Sequence, residues 1–116
     1  MPRPHQRLDA WKQAMRLVKA TYLITQTFPG EERYGLTAQM RRAAVSIPSN
    51  LAEGAARSTR REFAQFVSIS KGSLSELETQ TIIAAELGYV SRQDELFARL
   101  DRLGHLLTGL HRSIVG

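Results

Sequence analysis

The chain has 116 residues, enough for one domain with a single core (residues 1–116), and its formal net charge at pH 7 is +5. It contains no cysteine, which excludes disulfides and thiolate chemistry and favours the reducing cytoplasm over export. No apolar run reaches the length of a signal peptide or of a membrane span, so we expect neither.

The positive charge is concentrated in the middle of the chain. Residues 33–71 hold seven basic side chains and two carboxylates, a surplus equal to the net charge of the whole chain. Residues 1–32 carry +2 and residues 72–116 carry −2. A field of this kind attracts polyanions, although it does not determine a fold.

The first predicted helix covers residues 8–28. Its apolar side chains recur at steps of three and four residues, which places them on one helical face. This face consists of Leu8, Trp11, Met15, Val18, Tyr22 and Thr25. Pro29 and Gly30 follow, and both residue types end helices.

The second predicted helix covers residues 36–55 and is rich in alanine. Its apolar face consists of Leu36, Met40, Ala43, Ile47 and Leu51. Pro48 lacks a backbone N–H and its ring clashes with the preceding turn, so we expect a kink or a brief break around residues 46–49. Gly54 marks the end of this helix.

The third predicted helix covers residues 60–87. Thr59 and Glu62 have the spacing of a capping box, and Gly88 is a natural C-terminal cap. The buried face is predicted at Phe63, Val67, Ser70, Leu74, Leu77, Thr81 and Ala84. Gly72 is unfavourable in mid-helix, and we expect close approach of another helix to compensate.

The fourth predicted helix covers residues 92–114, with Ser91 as its N-terminal cap. Its leucines form an unbroken heptad seam: Leu96, Leu100, Leu103, Leu107, Leu110 and Ile114. The connections are short, which favours antiparallel neighbours. The predicted fold is therefore all-α, an up-down-up-down antiparallel four-helix bundle.

Some apolar residues lie outside these four faces. They are Phe66, Ile69 and Ile83 on the third helix and Val45 on the second. Extra apolar faces on a small bundle favour a partner subunit, most often a second copy of the chain. We predict an interface at Val45, Phe66, Ile69 and Gly72; the alternative is burial on several sides within one chain.

Several segments resemble one family. Residues Tyr34 to Gly54 read YGLTAQMRRAAVSIPSNLAEG, and two later blocks read FAQF from Phe63 and KGSLSELET from Lys71. Leu8 with Trp11 and the run Leu87-Gly88-Tyr89 complete the pattern. Over residues 5–110 the chain resembles the four-helix-bundle proteins encoded in 23S ribosomal RNA intervening sequences.

The resemblance implies a bundle that assembles into a ring-like homopentamer. The chain is also similar to the accessory protein of diversity-generating retroelements, a basic pentamer that binds nucleic acid and a reverse transcriptase. The family itself brings no established activity to this chain. Expected partners are therefore other copies of the chain, RNA or DNA, and a nucleic-acid-processing protein, without a membrane.

The basic residues form two groups in the sequence. Arg57, Arg60 and Arg61 crowd the start of the third helix, where the helix dipole also favours an anion. Arg41 and Arg42 lie in the second helix, about 100° apart, so at most one is buried. These five arginines and Lys71 are candidate contacts to a phosphate backbone, because forked guanidinium donors match phosphate oxygens.

The alternative is a structural role without nucleic acid. In it, Arg41 or Arg42 pairs with Glu53, Glu76 or Glu78 within or between subunits, and the remaining arginines are solvated. The protein would then be a structural or protein-interaction module.

No residue pattern favours catalysis, a metal or a cofactor. Arg99 and His105 have the spacing of an Arg-x5-His ribonuclease motif, but six residues place them about 120° apart on a helix. The chain contains no Glu-x-x-His pair of the kind that holds two metals in helical bundles. We therefore expect a non-enzymatic protein with no catalytic residue, no metal ligands and no cofactor.

Overall fold

The fold consists of four helices joined by short connections. The computed structural model describes residues 3–116, and within that range it contains no β-strand. Two 3₁₀ turns, Pro4–Arg7 and Gly30–Glu32, precede the first two helices. The helices are α1 (Asp9–Thr25), α2 (Leu36–Ala55), α3 (Arg60–Glu86) and α4 (Glu95–Val115). The all-α prediction is confirmed; α1 and α4 are each about three residues shorter at one end than predicted.

Each helix contacts the next one along the chain, and α4 closes the arrangement by contacting α1. Neighbouring helices run in opposite directions. On α2 and α3, Ser46 meets Ser73, whereas Gly54 meets Phe63. The particle measures 43 × 22 × 22 Å, which fits helices of about 1.5 Å rise per residue lying side by side. The helix packing is that of an antiparallel bundle.

The core lies where the predicted faces of α2, α3 and α4 converge. Met40, Ile47 and Leu51 are fully buried on α2, as are Val67 and Leu77 on α3. From the α4 seam, Leu96, Leu100, Leu103 and Leu107 are buried, and Leu110 and Ile114 are partly covered. The periodicity of large apolar residues therefore identified three of the four buried faces.

The predicted face of α1 lies about one position away from the buried one, although its last member, Thr25, is buried as predicted. The helix buries small residues, Ala10, Ala14 and Thr21, together with Leu17, while Met15 and Tyr22 are exposed. The Thr21 hydroxyl is satisfied inside the core because it donates to the Leu17 carbonyl at 2.8 Å. Burial of α1 is thus achieved by close approach of small side chains, which a search for large apolar residues overlooks.

Of the kink or break expected at Pro48, the break does not occur, because α2 remains helical from Leu36 to Ala55. Side chains donate to three consecutive carbonyls beside the proline. Ser49 binds the Val45 carbonyl at 2.8 Å, the Asn50 amide binds the Ser46 carbonyl at 2.8 Å, and Ser70 of α3 binds the Ile47 carbonyl at 2.9 Å. These donors stabilise a stretch of helix that proline otherwise weakens.

The helix ends follow capping chemistry with one correction. The Thr59 hydroxyl accepts from the Glu62 N–H at 3.1 Å and donates to the Glu62 carboxylate at 3.0 Å. Gly88 has a φ of +81°, and the Tyr89 N–H returns to the Ala84 carbonyl at 2.9 Å, as in a Schellman motif. The α4 cap is Asp94 rather than Ser91, since its carboxylate accepts from the Leu96 N–H at 2.9 Å.

The helices of this chain approach one another closely at a glycine other than the one predicted. A Cβ on Gly72 would meet no atom within 4 Å, so no helix of this chain approaches it closely. A Cβ on Gly54 would lie 2.6 Å from the Phe66 Cβ and 3.1 Å from the Phe63 Cδ1. The close approach of helices therefore occurs at Gly54, between α2 and α3.

Candidate nucleic-acid interface

The structure separates the six predicted basic contacts into three places. Arg57, Arg60 and Arg61 lie together at the start of α3. Arg41 and Arg42 lie on α2 some sixteen residues from Arg57, or about 24 Å along the helix axis. Lys71 is half-buried in the middle of α3, where it lines a groove with Glu78, Asp101 and His105.

Arg60 holds the end of α4. Its guanidinium donates to the Ser113 carbonyl at 2.9 Å and to the Ile114 carbonyl at 3.1 and 3.2 Å. The last carbonyls of a helix have no partner within the helix and carry a partial negative charge. Arg60 therefore satisfies the α4 terminus and ties it to the start of α3.

Arg57 and Arg61 are more available to a ligand. Arg57 forms an ion pair with Glu53 at 3.2 Å and lies over the Phe66 ring, 4.8 Å from its centre. Both members of that ion pair are exposed, so the pair is weak. Arg61 is exposed beside a shallow cleft that also includes Gln65 and His111.

Arg41 and Arg42 have different environments, as their angular separation required. Arg41 is half-buried: its Nε donates to the Thr25 hydroxyl at 2.9 Å, and its guanidinium stacks 4.5 Å from the centre of the Tyr22 ring. Arg42 is exposed. Within the chain, Arg41 is therefore supported by residues at the end of α1 and not by one of the three glutamates.

The fold places further basic residues, which are distant in the sequence, at the same end of the bundle as Arg57, Arg60 and Arg61. In an antiparallel bundle, the start of α1, the junction of α2 with α3 and the end of α4 meet at one end, which we call the basic end (residues 3–12, 53–62 and 109–116). Seven arginine and lysine side chains lie there against three carboxylates. The additions to the predicted group are Arg3, Arg7, Lys12 and Arg112, all exposed.

The other end, called the loop end (residues 20–41 and 81–99), has four basic and five acidic side chains. The positive charge is thus polarised along the bundle axis. A sequence window could not have found the basic end, because its residues come from three segments separated by whole helices. The predicted antiparallel topology is the feature from which the meeting of these three segments could have been inferred.

The four residues predicted at a subunit interface have unequal exposure. Val45, Ile69 and Gly72 are exposed, in keeping with positions outside the core. Phe66 is half-buried within its own chain, between Gly54 and the guanidinium of Arg57.

The groups considered for catalysis are engaged elsewhere. Arg99 pairs with Glu95 at 3.1 Å, and His105 lies 3.6 Å from Asp101 with both side chains exposed. Within residues 3–116, no three His, Cys, Asp or Glu side chains are grouped closely enough to hold a metal ion.

Tyr89 has a pKa that is displaced by a neighbouring carboxylate. Its hydroxyl donates to the Glu32 carboxylate at 3.1 Å. This hydrogen bond, followed by partial burial and the charges of Glu32 and Glu31, raises the pKa of Tyr89 above its usual value. The group lies at the loop end, away from the arginines.

Fold and site together define a class of small basic helical bundles with charge concentrated at one end. The chain belongs to the family of the 23S rRNA-intervening sequence protein, whose pattern it matches over residues 6–109. The family relationship that the sequence motifs indicated is therefore confirmed. No curated protein matches the chain significantly. Among the described residues, no helix is both long and apolar enough to cross a membrane.

Proposed function

We propose that the protein is a non-enzymatic homo-oligomer, a pentameric ring in the cytoplasm, that binds nucleic acid, or an enzyme acting on nucleic acid, through its basic end. The observation that carries the proposal is the polarity of charge. Seven basic side chains stand against three carboxylates at the basic end, whereas the loop end has a slight acidic excess. Such a surface attracts phosphate through non-specific electrostatics.

Arg57 and Arg61 are the leading contacts in this proposal. Both are exposed, and Arg57 is restrained only by a solvated carboxylate and an aromatic ring. Arg60 has a positioning role, since its donors already bind the end of α4. Arg3, Arg7 and Arg112 extend the contact across the end of the bundle. A ring multiplies this contact by the number of subunits, which raises the avidity for a long polyanion.

The test is the salt dependence of binding to a labelled single-stranded RNA and to duplex DNA, measured by fluorescence anisotropy. Wild-type affinity should fall steeply between about 50 and about 200 mM salt. The double variant Arg57→Ala/Arg61→Ala should bind more weakly, with a slope on single-stranded RNA smaller by roughly 1.4, because each lost phosphate contact removes about 0.7.

The matched control is Arg33→Ala/Arg92→Ala, which removes the same charge from exposed positions of the loop end. It should leave the slope close to that of the wild type. If both double variants lowered the affinity equally, the effect would be one of net charge and not of the basic end. If the wild type bound no nucleic acid, the proposed function would be excluded. Light scattering on chains of 13.0 kDa measures the number of subunits.

The second candidate is a structural or protein-interaction module in which arginines serve contacts within or between subunits. The bonds of Arg41 to Thr25 and of Arg60 to Ser113 favour it, because both guanidinium groups satisfy helix ends. This candidate predicts that Arg41→Ala or Arg42→Ala lowers the oligomer mass, measured by light scattering in the absence of nucleic acid.

A further inference from the structure

An apolar groove runs between α1 and α2 on the outside of the bundle. Its walls are mostly apolar: Trp11, Met15 and Val18 face Val45, Pro48 and Ala52, and the polar lining residues are His5 and Ser49. Met15 is 44% exposed and Val45 is 40% exposed, so the chain itself covers them only in part. Both belong to the apolar residues that the core of a single bundle does not use.

The charge beside this groove is mainly positive. Helices α1 and α2 contain two carboxylates, Asp9 and Glu53, against five basic side chains: Lys12, Arg16, Lys19, Arg41 and Arg42. An occupant that brings apolar side chains together with carboxylates would therefore match the groove in both shape and charge. A phosphate backbone matches the charge but offers nothing to aliphatic walls.

The same chain carries a face of this description on α3. Ile69 is 49% exposed and Ile83 is 44% exposed, and they are separated by about four helical turns on one side of the helix. Between them lie Gly72, which has open space around its Cα, and the exposed carboxylate of Glu76. Of the charged residues in 69–86, Lys71 and Glu78 line the groove against α4, so the charge left to this side of α3 comes from carboxylates.

We propose that the groove between α1 and α2 receives the Ile69–Gly72 face of α3 from a second copy of the chain. The missing side chain at Gly72 lets the incoming helix lie close to the groove, and Ile69 enters it between Met15 and Val45. Glu76 then lies over a surface on which basic side chains outnumber carboxylates. This inference rests on the proposed homo-oligomer and identifies its two surfaces.

The two surfaces are different, so the contact is head-to-tail and not two-fold symmetric. Head-to-tail contacts leave one free groove and one free α3 face at the ends of any open chain, and they generate rings or filaments. A head-to-tail contact can also be restored by mixing two variants. A copy with a damaged groove still has an intact α3 face, and a copy with a damaged α3 face still has an intact groove, so the two can bind each other.

The experiment uses Met15→Asp, which damages the groove, and Ile69→Asp, which damages the α3 face. Each variant alone should be monomeric in light scattering, while the wild type is oligomeric. A one-to-one mixture should form a dimer and nothing larger, since the α3 face of the first fits the groove of the second. Leu23→Asp is the control: it is 55% exposed on α1 outside the groove, and it should keep the wild-type mass.

Circular dichroism checks that each variant is still folded. We expect unchanged helicity, because the substituted positions are exposed. An oligomeric Ile69→Asp variant, or a mixture that stays monomeric, would overturn the pairing of these surfaces. A monomeric wild type would overturn it as well and would assign the groove to another occupant. Failure of the proposed function is separate, because an intact wild-type oligomer that binds no nucleic acid leaves the pairing standing.

Discussion

At each end of the bundle an arginine binds the terminus of a neighbouring helix, but the two ends differ in how many other basic side chains are exposed. At the loop end Arg41 binds Thr25 at the end of α1, and at the basic end Arg60 binds the last carbonyls of α4. One guanidinium at each end thus holds the terminus of a neighbouring helix. Only the basic end has a surplus of exposed basic side chains beyond that requirement. Arginine content alone therefore does not distinguish the two ends; the surplus of exposed basic side chains does.

The basic end depends first on the close contact of α2 with α3, and breaking it should have the largest effect. In Gly54→Ala the new Cβ would lie 2.6 Å from the Phe66 Cβ, so the helices must separate. We expect a loss of about 3 kcal/mol in the free energy of unfolding, at the upper range for overpacking. Chemical denaturation measures it.

Gly109→Ala is the control at the same end. A Cβ there meets no atom within 4 Å, and the exposed helical position should gain up to about 1 kcal/mol in stability. If the two substitutions changed stability equally, the contact at Gly54 would not be limiting.

The next effect concerns the loop end. Arg41→Ala removes the 2.9 Å hydrogen bond to Thr25 and the stacking on Tyr22 from a half-buried site. We expect a loss of about 1.5 kcal/mol, the sum of a charge-assisted hydrogen bond and a cation–π contact discounted for partial exposure. Thermal unfolding of Arg41→Ala beside Arg42→Ala tests it, since the exposed Arg42 should contribute almost nothing.

The corresponding substitution at the basic end should be milder. Arg60→Ala removes three hydrogen bonds to Ser113 and Ile114, but the site is solvent-exposed and water replaces the donors. We expect a loss of about 0.5 kcal/mol, accompanied by faster amide exchange confined to the last turn of α4. Exchange that increases along the whole of α4 would mean that Arg60 supports the bundle and not only its terminus.

Large apolar residues at regular spacing were sufficient to predict the bundle. The faces of α2, α3 and α4 follow Met40, Leu77 and Leu103, whose burial depends on hydrophobicity alone. The α1 face could not be predicted in this way, because Ala14 and Thr21 are buried by close packing while the larger Met15 remains outside. The exposure of Met15 is understandable only once the groove between α1 and α2 is known.

The candidate site was predictable in part for a different reason. Arg57, Arg60 and Arg61 are close in sequence, so a local count of charge identified them together. Which of them is free depends on the position of the α4 terminus, a contact separated by more than fifty residues that no local pattern contains. Electrostatic potential is a property of the assembled surface, and it becomes visible only when the helices are placed.

The smallest expected effect is a pH dependence of stability that comes from the loop end alone. Because the Glu32 carboxylate holds the Tyr89 proton, the pKa of Tyr89 in the folded chain is above the value of 10.0 that applies when it is unfolded. Above pH 10 the unfolded chain loses this proton more readily than the folded chain does, so the contribution of Tyr89 to stability is complete below pH 10 and declines as the pH rises through the folded pKa. Tyr89→Phe should lower the melting temperature at pH 7 and narrow its deficit from the wild type at pH 11. A deficit that stayed constant across that range would show that the Glu32 contact does not depend on the Tyr89 proton, and salt-dependent binding at the basic end should be unchanged in this variant.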